Sequence, residues 1–501
     1  MGVAIRQSFK ASIVSYFGAL FGYVNLVFLY PLCLTPEIYG LTRVVIEAAT
    51  ILAFFSQMGI SNAIIRFFPL FFNQEKKHHG FLFYITVVPV IGFIIFSLVY
   101  VFFKDIIVAY FNENSRLFFT YFYYVLPLAF FIMYTTISEA YSSVLMRIVV
   151  PKVSREVLLR IAQALVVIAY YFRLLNLDGL IAGFIVSYSI AMLVNIFYIL
   201  KIQNSSFKAD KTILTTKNKK DIFPYLLYMI VAGLGTNVVN KIDTFMISSK
   251  LNLSETGIFS LAFFIANIIE VPSRSLLQIL SPITSKAIAE KDYFQLNQLY
   301  KKSSSNQMLL AMILFVFIWI NITSLFEIMP NGNVYKVGKW VIFFIGLSKI
   351  FDASTGINVV IIGHSKYYYV GLFFIFFLAG ISVWLNNLLI PIYGITGASV
   401  TTATSIFFYN LMFVIFVWVQ FKILPFTSAT LKTIILLVLL LLINHYVLPD
   451  FDNPLIDGLV RTVIISLIMF PVIYFWKISL DFNDLLKKLL KMRSIKHIQK
   501  L

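Results

Sequence analysis

Residues 223–249 carry Asn237, Asn240, Lys241, Asp243, Thr244 and Ser248 in a stretch otherwise apolar enough to cross a bilayer. Asn237, Asn240, Lys241, Thr244 and Ser248 are spaced i, i+3, i+4, i+7 and i+11, so one helix would present them on one face. Residues 257–280 repeat the pattern with Asn267, Glu270, Arg274 and Gln278. A charged side chain at the centre of a bilayer costs about 2.5–3.5 kcal/mol on insertion scales. Such groups persist only where they face a water-filled cavity or one another. The two stretches therefore predict spanning helices with one wet stripe each, lining a solvated cavity.

Further cations fall inside apolar runs: Arg43, Arg160 and Lys349. With Asn237, Asn240, Lys241 and Arg274 they form a candidate set for holding an anionic substrate in a wet cavity, because guanidinium and ammonium groups are the natural partners of phosphate oxygens. A structural reading competes. Arg43 has Glu47 four residues on, Arg274 has Glu270 four residues back, and Lys349 has Asp352 three residues on. Each cation could be neutralised locally. Arg66, Arg147 and Arg155 stand where topology-setting anchors belong. The carboxylates inside spans are Glu47, Glu139, Asp243, Glu270 and Asp352. A carboxylate at membrane depth can accept a proton or ligate Na⁺, so these five are the candidates for ion coupling, with H⁺ or Na⁺ as the ion. Glu139 and Asp243 lead, since neither has a cation at i±4.

The elements that must position these groups are helices. Hydrophobic residues make up 60% of the 501 and charged residues 12%, against about 25% charged in a soluble domain. Apolar runs of spanning length predict an all-α polytopic membrane protein with about fourteen spans. They run near 11–31, 41–66, 81–103, 119–145, 154–173, 178–200, 223–249, 257–280, 304–326, 338–362, 367–389, 394–419, 429–448 and 457–476. The net charge of +18 lies mainly in loops beside spans and is no signal for nucleic acid. With the N-terminus cytoplasmic, the inside segments take Arg6, Lys10, Arg66, Lys76, Lys77, Arg147, Lys152, Arg155, the lysines from Lys201 to Lys220, Lys286 to Lys302, Lys366, Lys422 and the basic tail. The outside segments keep only Lys104, Arg116, Arg173, Lys250, Lys336 and Lys339. Both termini are expected in the cytoplasm.

The expected organisation is a six-helix lobe at 1–200, a cytoplasmic linker at 201–222, a second six-helix lobe at 223–420, two further spans at 421–476 and a basic amphipathic tail at 477–501 lying on the inner leaflet. The lone Cys33 excludes an intramolecular disulfide. The first span has the polarity of a signal sequence but no small-residue cleavage site, and reads as uncleaved. His78 and His79 lie beside Lys76 and Lys77 without nearby Cys or carboxylate ligands, so no metal site is expected. No glycine-rich loop precedes a Walker lysine, and nothing else in the chain suggests an enzyme or a bound cofactor.

An internal echo supports two related lobes. Thr35-Pro36-Glu37-Ile38-Tyr39-Gly40 opens the second span, and Leu253-Ser254-Glu255-Thr256-Gly257 opens the eighth. Residues 241–282 carry Asp-x-x-Met-Ile, then Glu-x-Gly-Ile-Phe-Ser-x-Ala, then Ser281-Pro282-Ile283. Gly59 to Arg66, the turn from Arg147 to Pro151 leading to Arg160, and Tyr393-Gly394-Ile395-Thr396-Gly397-Ala398 add three more motifs. In this order the set resembles the polysaccharide and O-antigen flippases of the multidrug/oligosaccharidyl-lipid/polysaccharide superfamily. The resemblance implies two six-helix lobes in a V plus two C-terminal helices. It implies transport of an undecaprenyl-pyrophosphate-linked oligosaccharide from the cytoplasmic to the periplasmic leaflet of a bacterial inner membrane. Surface polysaccharide synthesis, with a polymerase and glycosyltransferases as partners, would be the setting. Two alternatives stand beside it: a multidrug/cation antiporter of the same superfamily, and a polytopic polymerase or ligase, which the short outside loops disfavour.

Overall fold

The structure, a computed structural model, describes residues 2–71, 80–111, 115–202, 216–237, 241–449, 451–479 and 481–484. Among the described residues the regular structure is helical throughout. The helices used below, numbered in chain order, are α1 (Gly2–Tyr23), α2 (Pro36–Ser56), α3 (Ile60–Phe71), α4 (Phe81–Phe102), α5 (Val125–Val144), α6 (Leu159–Tyr171), α7 (Leu177–Ile202), α8 (Thr216–Asn237) and α9 (Ile242–Lys250). They continue with α10 (Leu253–Asn267), α11 (Val271–Ala289), α12 (Tyr293–Ile320), α13 (Lys339–Ser354), α14 (Asn358–His364), α15 (Tyr368–Phe421), α16 (Ser428–Tyr446) and α17 (Pro454–Phe475). The chain forms two compact units, Met1–Ser260 and Leu261–Leu501, with the boundary inside α10. The expected linker at 201–222 falls within the first unit, and residues 203–215 of it lie outside the described residues.

The all-helical membrane architecture is as the composition requires, but the count differs. Ten helices among the described residues are long and apolar enough to cross a membrane, or eleven if the bent pair Gly332–Ser354 and Asn358–His364 is one span. About fourteen were expected. Four differences account for ten: the expected span at 338–362 is that bent pair, and three others differ as follows. The expected span at 154–173 is built from a short helix Val149–Val153, a π-helical turn Ser154–Leu158 and α6. The expected span at 223–249 is divided between α8 and α9, and only Ile222–Val231 of it is a short apolar helix. The expected spans at 367–389 and 394–419 are continuous in α15, whose 54 residues would reach roughly 80 Å at 1.5 Å per residue. That is more than twice a hydrocarbon core of about 30 Å. Gly394, at φ 58° and ψ −139°, breaks the helical path between them; this backbone region is open to glycine and closed to residues with a Cβ.

Local sequence explains the helix starts. Thr35 caps α2, accepting from the Ile38 amide at 3.3 Å, with Pro36 in the first turn. Asp292 caps α12 through the Gln295 amide at 2.9 Å. Thr427 and Thr430 form a reciprocal capping box on α16. Asn453 accepts from the amides of Leu455 and Ile456 ahead of α17. Pro272 has no amide to donate to the carbonyl four residues back, and the chain there tightens into a 3₁₀ turn, Ile268–Glu270, between α10 and α11.

In the first unit Leu41, Val44, Leu128, Ala129 and Tyr141 meet in a core drawn from α2 and α5. In the second, Met312, Phe315, Leu440, Ile465 and Met469 join α12, α16 and α17. Two polar clasps hold α17 and the residues just after it. At one end the Arg461 guanidinium donates to Asp457 at 2.8 Å and to the Pro449 carbonyl at 3.0 Å, while the Ser324 hydroxyl donates to Asp457 at 2.6 Å. Beyond the other end Asp481 accepts from Asn306 at 2.8 Å and pairs with Lys302 at 2.9 Å. Burial works against the Asp481 carboxylate, but Lys302 and Asn306 outweigh it and hold the group below the usual aspartate range.

The two echoing segments touch each other. A Cβ on Gly40 would lie 1.8 Å from the Leu253 carbonyl oxygen, and a Cβ on Gly257 would lie 2.1 Å from that of Pro36. Neither backbone carbonyl can move aside, so both positions demand glycine for close helix approach. Gly380 lies in open space, with nothing within 4 Å of its Cβ position. We therefore expect Gly40→Ala and Gly257→Ala each to cost about 1–3 kcal/mol and to lower the thermal midpoint of the purified protein. Gly380→Ala should leave it unchanged or raise it. Equal behaviour of the three variants in a thermal unfolding assay would refute the crossing.

Candidate functional site

Each unit gathers its own group of ionised side chains. In the first unit Arg43 projects from α2 and donates to Glu47, one turn on, at 2.9 Å. Glu47 is buried, 6% exposed. Lys241, just ahead of α9, has Glu47 and Arg43 as its charged neighbours, so chain segments two hundred residues apart converge. On the other side Tyr30 and Tyr188 bridge electrostatically to a second set: both feel Arg43 and Arg160, and Tyr188 feels Arg155 as well. Arg160, on α6, pairs with Glu156 at 2.8 Å and donates to the Gly18 carbonyl of α1. Its own carbonyl accepts from Asn25 at 2.8 Å. Arg155 pairs with Glu139 of α5 at 2.9 Å.

The first-unit group thus holds four cations, Arg43, Arg155, Arg160 and Lys241, against three carboxylates, Glu47, Glu139 and Glu156. Over these seven groups the balance is one positive charge; Lys152 also acts on Glu139, and Asp243, two residues from Lys241, is a further buried carboxylate. The Arg155 side chain is 57% exposed and those of Arg43 and Arg160 about a third, so the cations keep open faces. A group with excess positive charge, forked guanidinium donors and phenol hydroxyls beside them can bind an anion bidentately.

In the second unit Glu270, at the 3₁₀ turn, accepts from Arg274 at 2.7 Å and from Lys349 of α13 at 2.5 Å. Asp352, one turn beyond Lys349, accepts from the Asn410 amide of α15 at 3.0 Å. Asn410 also accepts from Thr355 at 2.9 Å and Asn358 at 3.2 Å. The two cations and two carboxylates of this group balance.

Several expectations are met and several change. The i,i+4 pairs Arg43–Glu47 and Glu270–Arg274 form as the spacing implied. Lys349 turns to Glu270 instead of Asp352, because a contact across helices brings a carboxylate closer than its own i+3 neighbour. Glu139 is paired, through Arg155 sixteen residues away. Asp243 is buried, 8% exposed. The wet stripe does not extend to Thr244 and Ser248. Both are buried, the Ser248 hydroxyl donates back to the Thr244 carbonyl and meets Thr256 at 2.9 Å, and its carbonyl accepts from Ser115 at 2.6 Å. Asn240, His78, His79 and the tail beyond residue 484 lie outside the described residues, as does the side chain of Asn237. Arg66 lies over the Tyr225 ring at 4.4 Å, a cation–π contact between α3 and α8. Glu156 and Asn410 were not anticipated. Glu156 stands four residues before Arg160 and was legible by the same spacing rule. Asn410 is an amide in an apolar run, which at membrane depth is itself a signal.

A family model described as "Polysaccharide biosynthesis protein" matches residues 5–288. No curated protein sequence matches significantly. Among solved structures, the lipid II flippase MurJ in an inward closed conformation aligns at 15% identity and TM-score 0.69, covering 92% of this chain and 98% of that one. An inward-facing multidrug resistance MATE family transporter of the MOP superfamily aligns at 14% identity and TM-score 0.61, covering 83% and 96%. A MOP superfamily transporter from Pyrococcus furiosus aligns at 14% and 0.57, covering 85% and 96%. At these identities the likeness is one of fold.

The second-unit group makes a graded prediction. The Lys349 side chain is 13% exposed and that of Arg274 66%. Losing a buried partner costs up to about 3–5 kcal/mol where it strands a charge, less here because Glu270 keeps Arg274, while an exposed pair contributes about 0–1 kcal/mol. Lys349→Met should therefore lower the thermal midpoint several times more than Arg274→Gln. Equal shifts in a thermal unfolding assay would contradict the geometry.

Proposed function

The chain belongs to the polysaccharide biosynthesis protein family, and from that premise we propose that it is a flippase for an undecaprenyl-pyrophosphate-linked oligosaccharide. The substrate moves from the cytoplasmic to the periplasmic leaflet of a bacterial inner membrane, coupled to H⁺ or Na⁺, for surface polysaccharide synthesis. The observation that carries this reading is the first-unit group, where Arg43, Arg155, Arg160 and Lys241 outnumber their carboxylates by one. A pyrophosphate is the part of such a substrate that needs fixed cations. Its prenyl tail needs only lipid, and its sugars need hydroxyl and amide partners such as Tyr30, Tyr188 and the asparagines at 237 and 240.

The fold fits this reading, since MurJ is by its description a lipid II flippase. It also fits a multidrug/cation antiporter, because MATE transporters share it. The charge balance favours the first: a cationic drug would be repelled by a group carrying excess positive charge. The distribution of Lys and Arg in the loops supports cytoplasmic termini. Glycosyltransferases that build the lipid-linked unit and a polymerase that consumes it are the partners this role requires. No catalytic step and no cofactor is assigned to the chain.

Lys241 and Arg274 are the cations to test, since each reaches solvent and neither ties two helices together as Arg160 does. A hydrogen bond to a charged group contributes about 1.5–3 kcal/mol, which corresponds to about ten- to a hundredfold in affinity. We expect Lys241→Gln and Arg274→Gln to lower surface glycan display at least about tenfold at unchanged protein abundance. Normal display by both variants would reject the proposed anion-holding roles.

A further inference from the structure

The second unit contains a bend with an unusual support. Gly332–Ser354 and Asn358–His364 meet at 51° across a break of a few residues. Gly356 sits in the break at φ +60°, a left-handed conformation that favours glycine. Two neighbouring helices hold the break. From α12 the Ser304 hydroxyl donates to the Ser354 carbonyl at 2.6 Å. From α15 Asn410 accepts from Thr355 and Asn358, one on each side of Gly356. The same Asn410 amide donates to Asp352 at 3.0 Å and to the Ile406 carbonyl at 3.1 Å. Asn410 is 2% exposed, so all of its hydrogen-bonding capacity is committed inside the protein.

We propose that Asn410 is a positioning residue that transmits the charge state of Asp352 to the bend between α13 and α14. The carboxylate of Asp352 orients the amide by accepting from its nitrogen, which turns the amide oxygen toward Thr355 and Asn358. A charged acceptor makes a hydrogen bond about twice as strong as a neutral one. When Asp352 takes up a proton or contacts a cation, the amide loses its charged anchor, the grip on both sides of Gly356 loosens, and the bend opens. The titratable and charged groups about Asp352 among the described residues are Lys349 on its own helix, Glu270 and Arg274 across from it, and Tyr409 beside Asn410 on α15. Lys349 and Arg274 are both engaged by Glu270, which leaves the Asn410 amide as the hydrogen-bond donor recorded on Asp352. Room for the movement exists next to the break. A cavity of about 450 Å³ is bordered by Ser354, Thr355 and Asn410 together with Phe351, Phe407 and Val414. An apolar void beside a hinge lets it relax without collision.

The role assigned to this device, a switch within a transport cycle, rests on the flippase reading. The test of the device itself needs no substrate. Spin labels are placed at Val337→Cys and Gly363→Cys, one on each side of the bend and both exposed, in a Cys33→Ser background. Distances are measured in lipid nanodiscs. Opening a bend between arms of this length moves the labels apart by roughly 2–3 Å at 1.5 Å rise per residue. Asp352→Asn and Asn410→Leu should each lengthen the distance, and Thr355→Val, which removes one of the two grips, should do so even if Asn410→Leu fails to fold. The exchange Asp352→Asn with Asn410→Asp returns a carboxylate to the pair and should restore the original distance. A single variant at the original distance, or an exchange no shorter than the singles, overturns the proposal. Distances that behave as stated while glycan display is unaffected in every variant would keep the device and overturn its role as a switch in transport, whereas the flippase reading itself stands or falls on Lys241→Gln and Arg274→Gln.

Discussion

Ionised groups at membrane depth must be matched, and this requirement organises the chain. An isolated charge in hydrocarbon is costly and finds a counter-charge, a water-filled space or both. The described helices solve it by pairing across elements. Arg155 reaches Glu139 on α5, Lys349 reaches Glu270 beyond α10, and Arg160 reaches back to α1. Each match fixes which helices lie side by side more strictly than apolar packing alone, since Leu, Ile and Phe faces tolerate sliding and a charge pair does not. The first-unit group counted above leaves one cation in excess and the second-unit group none, so the two groups differ in what they can hold.

The helices are interrupted where the charges cluster. Pro272 tightens the chain into the turn that carries Glu270, and Gly356 bends the chain one turn past Asp352. Irregular backbone at membrane depth is tolerated only where it is buried in protein or faces a cavity. Its coincidence with Glu270 and Asp352 ties the breaks to the polar sites they support.

Much of the fold was legible in the sequence because its strongest signals are local. Apolar runs of twenty residues, Thr35-Pro36 and Asn453-Pro454 at helix starts, and i,i+4 pairs such as Arg43–Glu47 all act within a turn or two. The span count was less secure. A hydropathy window cannot see that Gly394 interrupts a 54-residue helix or that a π-helical turn at Ser154–Leu158 opens the run into α6. The site was legible as a set of residues but not as a set of partners. Lys349 has an acid at i+3 and uses one 79 residues away, and Asn410 connects to residues more than 50 positions earlier. Such choices depend on which helices are neighbours, and one sequence does not specify that.

The partners in turn sort the acidic residues. Glu47, Glu139 and Glu156 each accept from a guanidinium, and Glu270 accepts from a guanidinium and an ammonium together. To receive a proton or Na⁺, any of them must give up an ion pair and strand a cation, a cost of several kcal/mol where the pair is buried. Asp352 is different, because its hydrogen-bond donor is a neutral amide, although the Lys349 charge also acts on it. Neutralising Asp352 breaks no ion pair, but it leaves Glu270, Arg274 and Lys349 with one positive charge in excess. An ion-coupled carrier needs a carboxylate that can change state without dismantling the pairs that hold its helices together. Under the proposed ion-coupled reading, Asp352 is the candidate among the acids whose partners are described, and it lies one turn from the bend.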